Sequence, residues 1–451
     1  MAASARASRR TTELGLVVLA ALITAGGYAL ASLGKTASLP ANLVPFLVVI
    51  LGLLGAGHVA TRRLAPNADG VLLPMAGLLN GIGYIFIARL DPDLAALQAL
   101  WTAVAVAAFV ATLVGVRRAR DLEQYRYTFA LVGVALLLLP LLPVLGREIN
   151  GSRIWVRFGP ATFQPGELAK LALAIFFAGY LVEKRELLQT FTRRIGPVNL
   201  PDPKFLGPVL AAWGFSLVVM VFERDLGSSL LFFALFVTML WVATARGIYL
   251  VLGLVLFSAG AFLAFSAFAH VRTRVDIWLD PFADAGGRGY QLVQALFAFG
   301  SGGVAGTGLS LGSPTKIPAV ETDFIFAAIG EELGLIGTTA IIAAFLLMVG
   351  VGLRIAIQAR NDFEKLLAMG LTVILAVQTF IILGGVTRLV PLTGITLPFV
   401  SYGGSSLLAN YILLALLLRI SGEPIERPSH PGTAAAGSRA AGQHLDETVA
   451  T

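Results

Sequence analysis

The chain has no cysteine, four histidines among its 451 residues, and only 13% charged residues. Without cysteine it can form no disulfide, iron–sulfur cluster or thiol nucleophile. Two of the four histidines lie in the C-terminal tail, so a metal site built from histidine is not expected. The chemistry of this chain must therefore come from carboxylates, arginine, lysine and the backbone.

Hydrophobic residues, by contrast, make up 57% of the sequence and give it a mean hydropathy of +0.83. Apolar runs of about 20 residues, enough to cross about 30 Å of hydrocarbon, recur along the whole chain. We predict an all-α fold, a polytopic integral membrane helical bundle with about twelve transmembrane helices. The predicted spans are 13–34, 41–60, 71–90, 98–115, 126–145, 168–183, 205–222, 227–245, 249–269, 324–353, 366–386 and 397–419.

The first apolar run, 14–31, follows Arg9 and Arg10 and ends in Ala-Leu-Ala, a pattern also typical of a signal peptide. We expect it to be retained as a helix, because it is long for a signal peptide and many further spans follow. Residues 421–451 are rich in Ala, Gly, Ser and Pro, which predicts a disordered cytoplasmic tail.

The basic residues predict the orientation of the chain. With the N-terminus inside, about two thirds of the 33 Lys and Arg residues fall on the inner side, so both termini are predicted to be cytoplasmic. The net charge of +7 is assigned to these flanking residues, and no nucleic-acid partner is expected. The remaining basic residues lie mostly in the motif-bearing outer loops, which favours an anionic ligand outside over ordinary solvated loop charge.

The first outer motif is QPGELAK, at 164–170. Pro165 suits the first turn of a helix, so Glu167 and Lys170, three residues apart, are predicted to share a helix face near the membrane surface. They either share a functional site or form a simple intrahelical ion pair.

Two further motifs are RDLGSS, at 224–229, and GITLPFVSYGGSS, at 394–406. The first is a very short link between spans that could also be a plain tight turn. The second leads into the last span, and its glycines favour close helix packing, while Ser405 and Ser406 offer hydroxyl groups.

The longest polar interruption, 270–334, far exceeds typical loops of about 4–6 residues. Its apolar part, 290–299, predicts a short helix at the membrane interface or a re-entrant segment. Its many glycines would let backbone amides approach a phosphate. It closes on Asp323, where water-facing chain re-enters an apolar helix and a carboxylate is costly. Asp323 is our leading catalytic candidate, and the alternative is a helix N-cap.

Together with TDFIFAAIGEELGLIG and DPFADAGGRGYQLVQALFAFGSGG, these motifs resemble, in order, those of the RodA and FtsW family of shape, elongation, division and sporulation (SEDS) proteins. The resemblance covers roughly residues 130–420, and the segment KIPAVETDFIFAA is more similar to RodA than to FtsW. The family has ten spans, so residues 1–70 are predicted to be an extra transmembrane pair before a core at 71–420. Glu321 stands where the family often has His.

The resemblance implies a peptidoglycan glycosyltransferase that polymerises lipid II at the outer face of the cytoplasmic membrane, for cell elongation or division, with a class B penicillin-binding protein as partner. By the same resemblance Asp323 is the essential loop aspartate, and Glu167 and Lys170 are the charged pair of the family's QPxExxK motif. Candidate substrate-binding residues, chosen as cations or hydroxyls that suit a diphosphate, are Arg153, Arg224, Arg274, Lys316, Arg388, Ser405 and Ser406.

Two other functions stay open at this level: a lipid II flippase or transporter, and a non-catalytic scaffold of a cell-wall complex. Polar residues concentrate at the outer ends of the spans rather than at mid-membrane, which favours chemistry at the surface over translocation. No resident cofactor or metal ligand set is predicted. The motifs leave open whether a divalent cation, Mg²⁺ or Mn²⁺, assists the reaction.

Overall fold

The computed structural model describes residues 2–38, 43–143, 145–149, 151–158, 161–189, 193–195, 198–200 and 207–423. Within them the chain forms fourteen α-helices and two small antiparallel sheets. The helices are α1 (Ala2–Thr36), α2 (Leu43–Leu64), α3 (Leu72–Leu90), α4 (Pro92–Gly115), α5 (Arg126–Leu138), α6 (Gly166–Gln189), α7 (Gly207–Glu223), α8 (Leu226–Thr244), α9 (Ile248–Ala267), α10 (Ala269–Leu279), α11 (Tyr290–Gly302), α12 (Ile325–Gln358), α13 (Asp362–Val386) and α14 (Gly404–Gly422).

The polytopic helical prediction is confirmed. In the described part of the chain, nine helical segments are long and apolar enough to cross a membrane: Arg10–Lys35, Leu72–Leu90, Pro92–Gly115, Ala119–Leu141, Leu226–Thr244, Ile248–Ala267, Ile325–Gln358, Asp362–Val386 and Gly404–Gly422. The other three predicted spans are also helical, as α2, α6 and α7. Helix α7 has only 17 residues, and α6 carries charged residues near both ends.

The bundle has a protein-enclosed centre and a lipid-facing periphery. The apolar windows of α14 and α13 are 78% and 72% buried, whereas that of α9 is 22% buried. Helix α9 therefore presents large apolar side chains such as Leu254 and Phe262 on the outside, as expected of a helix that faces acyl chains rather than water.

The last helix differs from its predicted bounds. The sequence predicts a span over 397–419, but α14 begins only at Gly404, after an irregular segment that contains Pro391 and Pro398. Proline lacks the amide proton that a helix interior needs, so this segment does not form helix. Ser421 and Gly422, which the sequence places in the tail, complete α14, and 424–451 lie outside the described residues.

A three-stranded sheet that the sequence did not predict follows α5. Its strands are β1 (Gly146–Ile149), β2 (Ser152–Phe158) and β3 (Ala161–Phe163), in the order β1-β2-β3, with Arg147 opposite Trp155. A second hairpin pairs β4 (Arg193–Ile195) with β5 (Val198–Leu200). Alternation of Arg153, Trp155 and Arg157 with apolar neighbours was the signal for β2.

The long connection between α9 and α12 is ordered by two short helices. Helix α11 confirms the predicted short helix at 290–299, and α10 holds Arg274. The glycine-rich segment 303–313 then returns to the start of α12, whose backbone breaks locally at Gly334 with a φ of 63°. A Cβ at Gly334 would overlap the backbone of 304–306, so this break is where the segment packs.

Candidate active site

Asp323 lies two residues before α12 and is half-buried. Phe324, not Asp323, occupies the N-cap position of α12, and no side chain bonds the free amides there. The helix-cap alternative for Asp323 is therefore wrong. Its carboxylate is left to interact with groups from other parts of the chain.

The backbone just before Asp323 is fixed by the loop that precedes α14. The amide of Tyr402 donates to the carbonyl oxygen of Glu321 at 2.8 Å, and Ser401 Oγ donates to the carbonyl oxygen of Thr322 at 2.5 Å. Gly394 of the same loop has a φ of +79°, and a Cβ there would lie 3.5 Å from Asp323 Oδ2. The motif that carries Asp323 and the motif before α14, which are far apart in sequence, therefore pack together next to the Asp323 carboxylate.

Arg274, on α10, is the cation that acts on Asp323. Burial raises the pKa of Asp323 to about 6, opposed by the Arg274 guanidinium and the Thr322 hydroxyl. Burial lowers the pKa of Arg274, while the carboxylates of Asp225 and Asp323 act in the opposite direction. Arg274 Nη1 also donates to the carbonyl oxygen of Leu392 at 3.0 Å. A carboxyl whose pKa is raised by burial, within the electrostatic influence of a guanidinium, suits proton transfer next to an anionic leaving group.

The turn between α7 and α8 brings Asp225 to the same place. Asp225 caps α8, since its carboxylate accepts from Ser228 N at 3.0 Å and from Ser228 Oγ at 2.6 Å. Gly227 is required here because a Cβ would overlap Ile395 of the loop before α14. The tight-turn interpretation of RDLGSS is correct for the backbone, and the turn also supplies a charge to the Asp323 and Arg274 pair.

Glu167 and Lys170 pair at the start of α6, as predicted, and both are buried inside the protein. Lys170 Nζ lies 2.7 Å from Glu167 Oε2 and donates to Gln378 Oε1 at 2.8 Å, and only 4% of Lys170 and 5% of Glu167 are exposed. Gln378 in turn donates to the carbonyl oxygen of Thr396 at 3.0 Å. The pair therefore connects, through one amide, to the loop that also surrounds Asp323.

Ser405 and Ser406 are both buried at the start of α14. Ser405 Oγ accepts from the amide of Gln164 at 2.9 Å, which joins the QPGELAK motif to the last motif. Asn410 Nδ2 donates to Ser406 Oγ at 3.2 Å. In this structure both hydroxyls bond to other parts of the protein, and their predicted role in substrate binding remains a prediction.

The other predicted cations lie in three different surroundings. Arg153 and Arg224 converge on Glu148, each 3.7 Å from a carboxylate oxygen, and both are more than half exposed. Arg388 instead donates from Nε to the carbonyl oxygen of Trp278 at 2.8 Å and from Nη2 to that of Leu279, so it fixes the end of α10. Lys316 is exposed on the turn Pro314–Lys316.

The glycine-rich segment uses its own amides differently from the prediction. Ser310 N donates to Glu332 Oε2 at 2.9 Å, and Ser313 N donates to Glu331 Oε1 at 2.8 Å. The amides of Thr307 and Gly308 donate to backbone carbonyls of α12. These four amides bind the protein itself, so they form no phosphate cradle here.

Two side chains that sequence reasoning undervalued are central to this arrangement. Asp225 lies in RDLGSS, whose sequence is also compatible with a plain tight turn, and Gln378 is a single amide side chain within apolar α13 that no sequence motif marks. A single amide in an apolar span is itself a signal, because it must find a partner inside the membrane. Among the residues that the structure describes, no cluster of three or more His, Asp or Glu is arranged to hold a metal ion.

Residues 90–424 match the model of the FtsW, RodA and SpoVE family, described as cell cycle protein. The peptidoglycan glycosyltransferase RodA of Mycobacterium bovis is 48% identical over 426 residues, which cover 92% of this chain and 91% of that protein. RodA of Mycobacterium leprae is 46% identical at 92% and 90% coverage. Stage V sporulation protein E of Bacillus subtilis is 38% identical, at 63% and 76% coverage.

Solved structures agree with these sequence relatives. A structure of a peptidoglycan synthase complex, described as coordinating polymerization and crosslinking, superposes with a TM-score of 0.64 at 27% identity and covers 78% of this chain and 97% of its own. The rod shape determining protein RodA of Thermus thermophilus superposes with a TM-score of 0.55 at 26% identity, with 78% and 96% coverage.

Proposed function

The chain belongs to the FtsW, RodA and SpoVE family and is a peptidoglycan glycosyltransferase of the multi-pass membrane type, and we propose that its substrate is lipid II. The sequence motifs are more similar to RodA than to FtsW, and this agrees with the mycobacterial relatives, which are RodA proteins. The observation that carries the proposal is the half-buried Asp323, which follows chain held by the loop before α14 and is acted on by the charge of Arg274.

In the proposed reaction a sugar hydroxyl attacks the anomeric carbon of a lipid-linked sugar. Asp323 accepts the hydroxyl proton as the new C–O bond forms, and the bond to the polyprenyl pyrophosphate breaks, with its electron pair leaving on the phosphate oxygen. Arg274 stabilises the charge that develops on the leaving group, because its guanidinium is fixed by Leu392 before the reaction begins.

In the proposal Glu167 and Lys170 act indirectly, by positioning the loop around Asp323. They are too buried to meet a lipid-linked sugar directly in this structure, but Gln378 transmits their position to Thr396 in the loop around Asp323. Arg153 and Arg224 are exposed and paired only loosely with Glu148, so they are the cations best placed to meet a diphosphate arriving from outside.

The proposed organisation has an N-terminal transmembrane pair at 1–70, a glycosyltransferase core at 71–420 and a tail at 421–451, of which the first two residues complete α14. The similar structures cover 78% of this chain and nearly all of their own. Residues 1–70 and 421–451 together make up about 22% of the sequence, which supports placing the added segments there. Cytoplasmic termini, and a reaction centre on the outer face, follow from the distribution of Lys and Arg.

The proposed partner is a class B penicillin-binding protein, since one similar structure is of a complex that coordinates polymerization and crosslinking. The test is polymerisation of purified lipid II by the purified protein, with and without such a partner, followed as glycan strands on a gel. Strands that depend on Asp323 support the proposal. Absence of strands under both conditions, from protein shown to be folded, contradicts it.

A further inference from the structure

The outer end of α1 touches the glycine-rich segment 303–313. A Cβ at Gly34 would overlap the carbonyl oxygen of Leu309 and come within 3.4 Å of Ser310 Cβ. Lys35 Nζ donates to the carbonyl oxygen of Arg89, at the end of α3, at 3.4 Å. Only glycine at position 34 permits this approach, since the atom it meets belongs to the backbone and cannot rotate away.

The segment that α1 touches is anchored by buried charges. Arg89 Nε lies 2.6 Å from Glu332 Oε1, and Arg89 Nη2 donates to the carbonyl oxygen of Gly312 at 2.9 Å. The second oxygen of Glu332 accepts from Ser310 N, and Glu331 accepts from Ser313 N. Glu332 is 1% exposed, so these bonds are costly to break and hold 310–313 rigidly against α12 and α3.

This anchored segment leads directly to Asp323. Between Ser313 and Asp323 the chain makes the turn Pro314–Lys316 and a second turn closed by the bond from Thr322 N to Ala319 O. It buries Ile317 and Val320, and its last residues bond to the loop before α14. A displacement of Leu309 and Ser310 is therefore expected to displace the carboxylate of Asp323 as well. Displacements of about 1 Å at a reacting group can cost about 10²-fold in rate.

We propose that α1, in the N-terminal pair, is a positioning element for the reaction centre, with Gly34 as its contact point. Its contact holds the glycine-rich segment in place at Leu309 and Ser310. The ion pair of Arg89 and Glu332 fixes the following residues, and the chain then leads to Asp323. Gly34 does not contact substrate. This inference rests on the proposed reaction at Asp323, and it assigns to the N-terminal pair a function beyond membrane anchoring.

The test compares Gly34→Ala with Gly26→Ala in the full-length purified protein. Both substitutions add one methyl group to the same helix, but a Cβ at Gly26 has no heavy atom within 4 Å. Three experiments are done on each variant. They give kcat and KM for lipid II, the unfolding temperature, and the hydrogen exchange of the amides in 303–323.

We expect Gly34→Ala to lower kcat by at least about fivefold, with KM and the unfolding temperature little changed, and to speed exchange in 303–323. Gly26→Ala should match the wild type in all three. A normal kcat for Gly34→Ala overturns the proposal, and so does a loss of kcat that is matched by a lower unfolding temperature. If the wild type makes no strands, the proposed reaction fails, but exchange in 303–323 still decides whether α1 braces the segment.

Discussion

Ser401 donates a hydrogen bond of 2.5 Å from its Oγ to the carbonyl oxygen of Thr322, the residue directly before Asp323. The same Oγ accepts from the amide of Leu397 at 2.9 Å. One hydroxyl therefore closes the loop before α14 on itself and ties it to the chain that carries the candidate base. These bonds, and not a capping bond to α12, hold the backbone next to Asp323, so its chemistry can be tested separately from its contribution to stability.

We expect Asp323→Asn to abolish strand synthesis while the protein folds and still binds lipid II. Asparagine keeps the size of the side chain but cannot accept the proton, and losing a general base costs about 10²–10⁴-fold in rate. Strand formation is measured on a gel at matched protein concentration. Asp284→Asn is the control, because Asp284 is an exposed carboxylate of the same connection that pairs with Arg288. If Asp323→Asn kept more than about a tenth of the wild-type rate, the base would lie elsewhere.

The rate should depend on pH through Asp323. Burial raises its pKa to about 6, so below that pH the carboxyl is protonated in the folded protein and cannot serve as a base. We expect kcat/KM to fall about tenfold per pH unit below the midpoint and to level off above it. Initial rates between pH 4.5 and 8, in detergent and at constant ionic strength, provide the measurement. A flat profile across pH 6 would argue against this assignment.

Arg274→Gln should move that midpoint to higher pH and also lower the maximal rate. The guanidinium opposes the rise of the Asp323 pKa, so its removal lets burial and the nearby Asp225 and Glu321 raise the pKa further. The same change removes the group proposed to stabilise the leaving diphosphate. Arg274→Lys is the control, because it keeps the charge, and its midpoint should stay closer to the wild-type value. An unchanged midpoint for Arg274→Gln would show that the two side chains do not interact.

Glu167→Ala and Lys170→Ala should each strongly reduce activity in protein that still inserts into the membrane. Each also leaves one buried charge without its partner, which typically costs about 3–5 kcal/mol of stability. The double variant Glu167→Gln with Lys170→Met removes both charges and should recover much of that stability. We expect it to remain nearly inactive, because the bond from Lys170 to Gln378 is also lost.

Unfolding temperature and polymerisation rate, measured on the two single variants and the double variant, separate the two roles of this pair. Recovery of activity together with stability in the double variant would reduce Glu167 and Lys170 to a structural ion pair.

The predicted orientation is tested with reporters at two exposed sites. A reporter after Gly287 should read extracytoplasmic, and one after Arg360 cytoplasmic, because these positions flank α12, which crosses the membrane between them. Alkaline phosphatase and green fluorescent protein fusions give opposite signals on the two sides. The same reading at both positions would contradict the orientation deduced from the basic residues.

Much of the fold was predictable because its signals are local. Long apolar runs fixed the spans, and Pro165 correctly marked the start of α6. The failures came from interactions that are distant in sequence. Nothing near Glu167 or Lys170 says that they will be buried against Gln378, which lies on another helix and bonds to Lys170 at 2.8 Å.

The site followed the same pattern. Asp323 could be selected from its place at the edge of an apolar helix, and Arg274 as one of several outer cations. Arg274 bonds to Leu392 in the loop before α14 and its charge acts on Asp323, whereas Arg388 bonds to carbonyl oxygens at the end of α10. This difference depends on how that loop packs on α10. The glycine-rich segment resembled a phosphate cradle because the sequence cannot show that Glu331 and Glu332 accept hydrogen bonds from the amides of Ser313 and Ser310.

The guanidinium of Arg419, near the end of α14, has a consequence for how this protein is made. It is buried, and it donates to the carbonyl oxygens of Leu64 and Leu113, at the ends of α2 and α4. Those two helices leave the ribosome hundreds of residues before Arg419 does. During synthesis the carbonyl oxygens of Leu64 and Leu113 cannot form these bonds before α14 is made, so the packing between α2, α4 and α14 is completed only after Arg419 has been synthesised. A ribosome that stalls upstream of α14 would leave an incomplete bundle for membrane quality control to recognise.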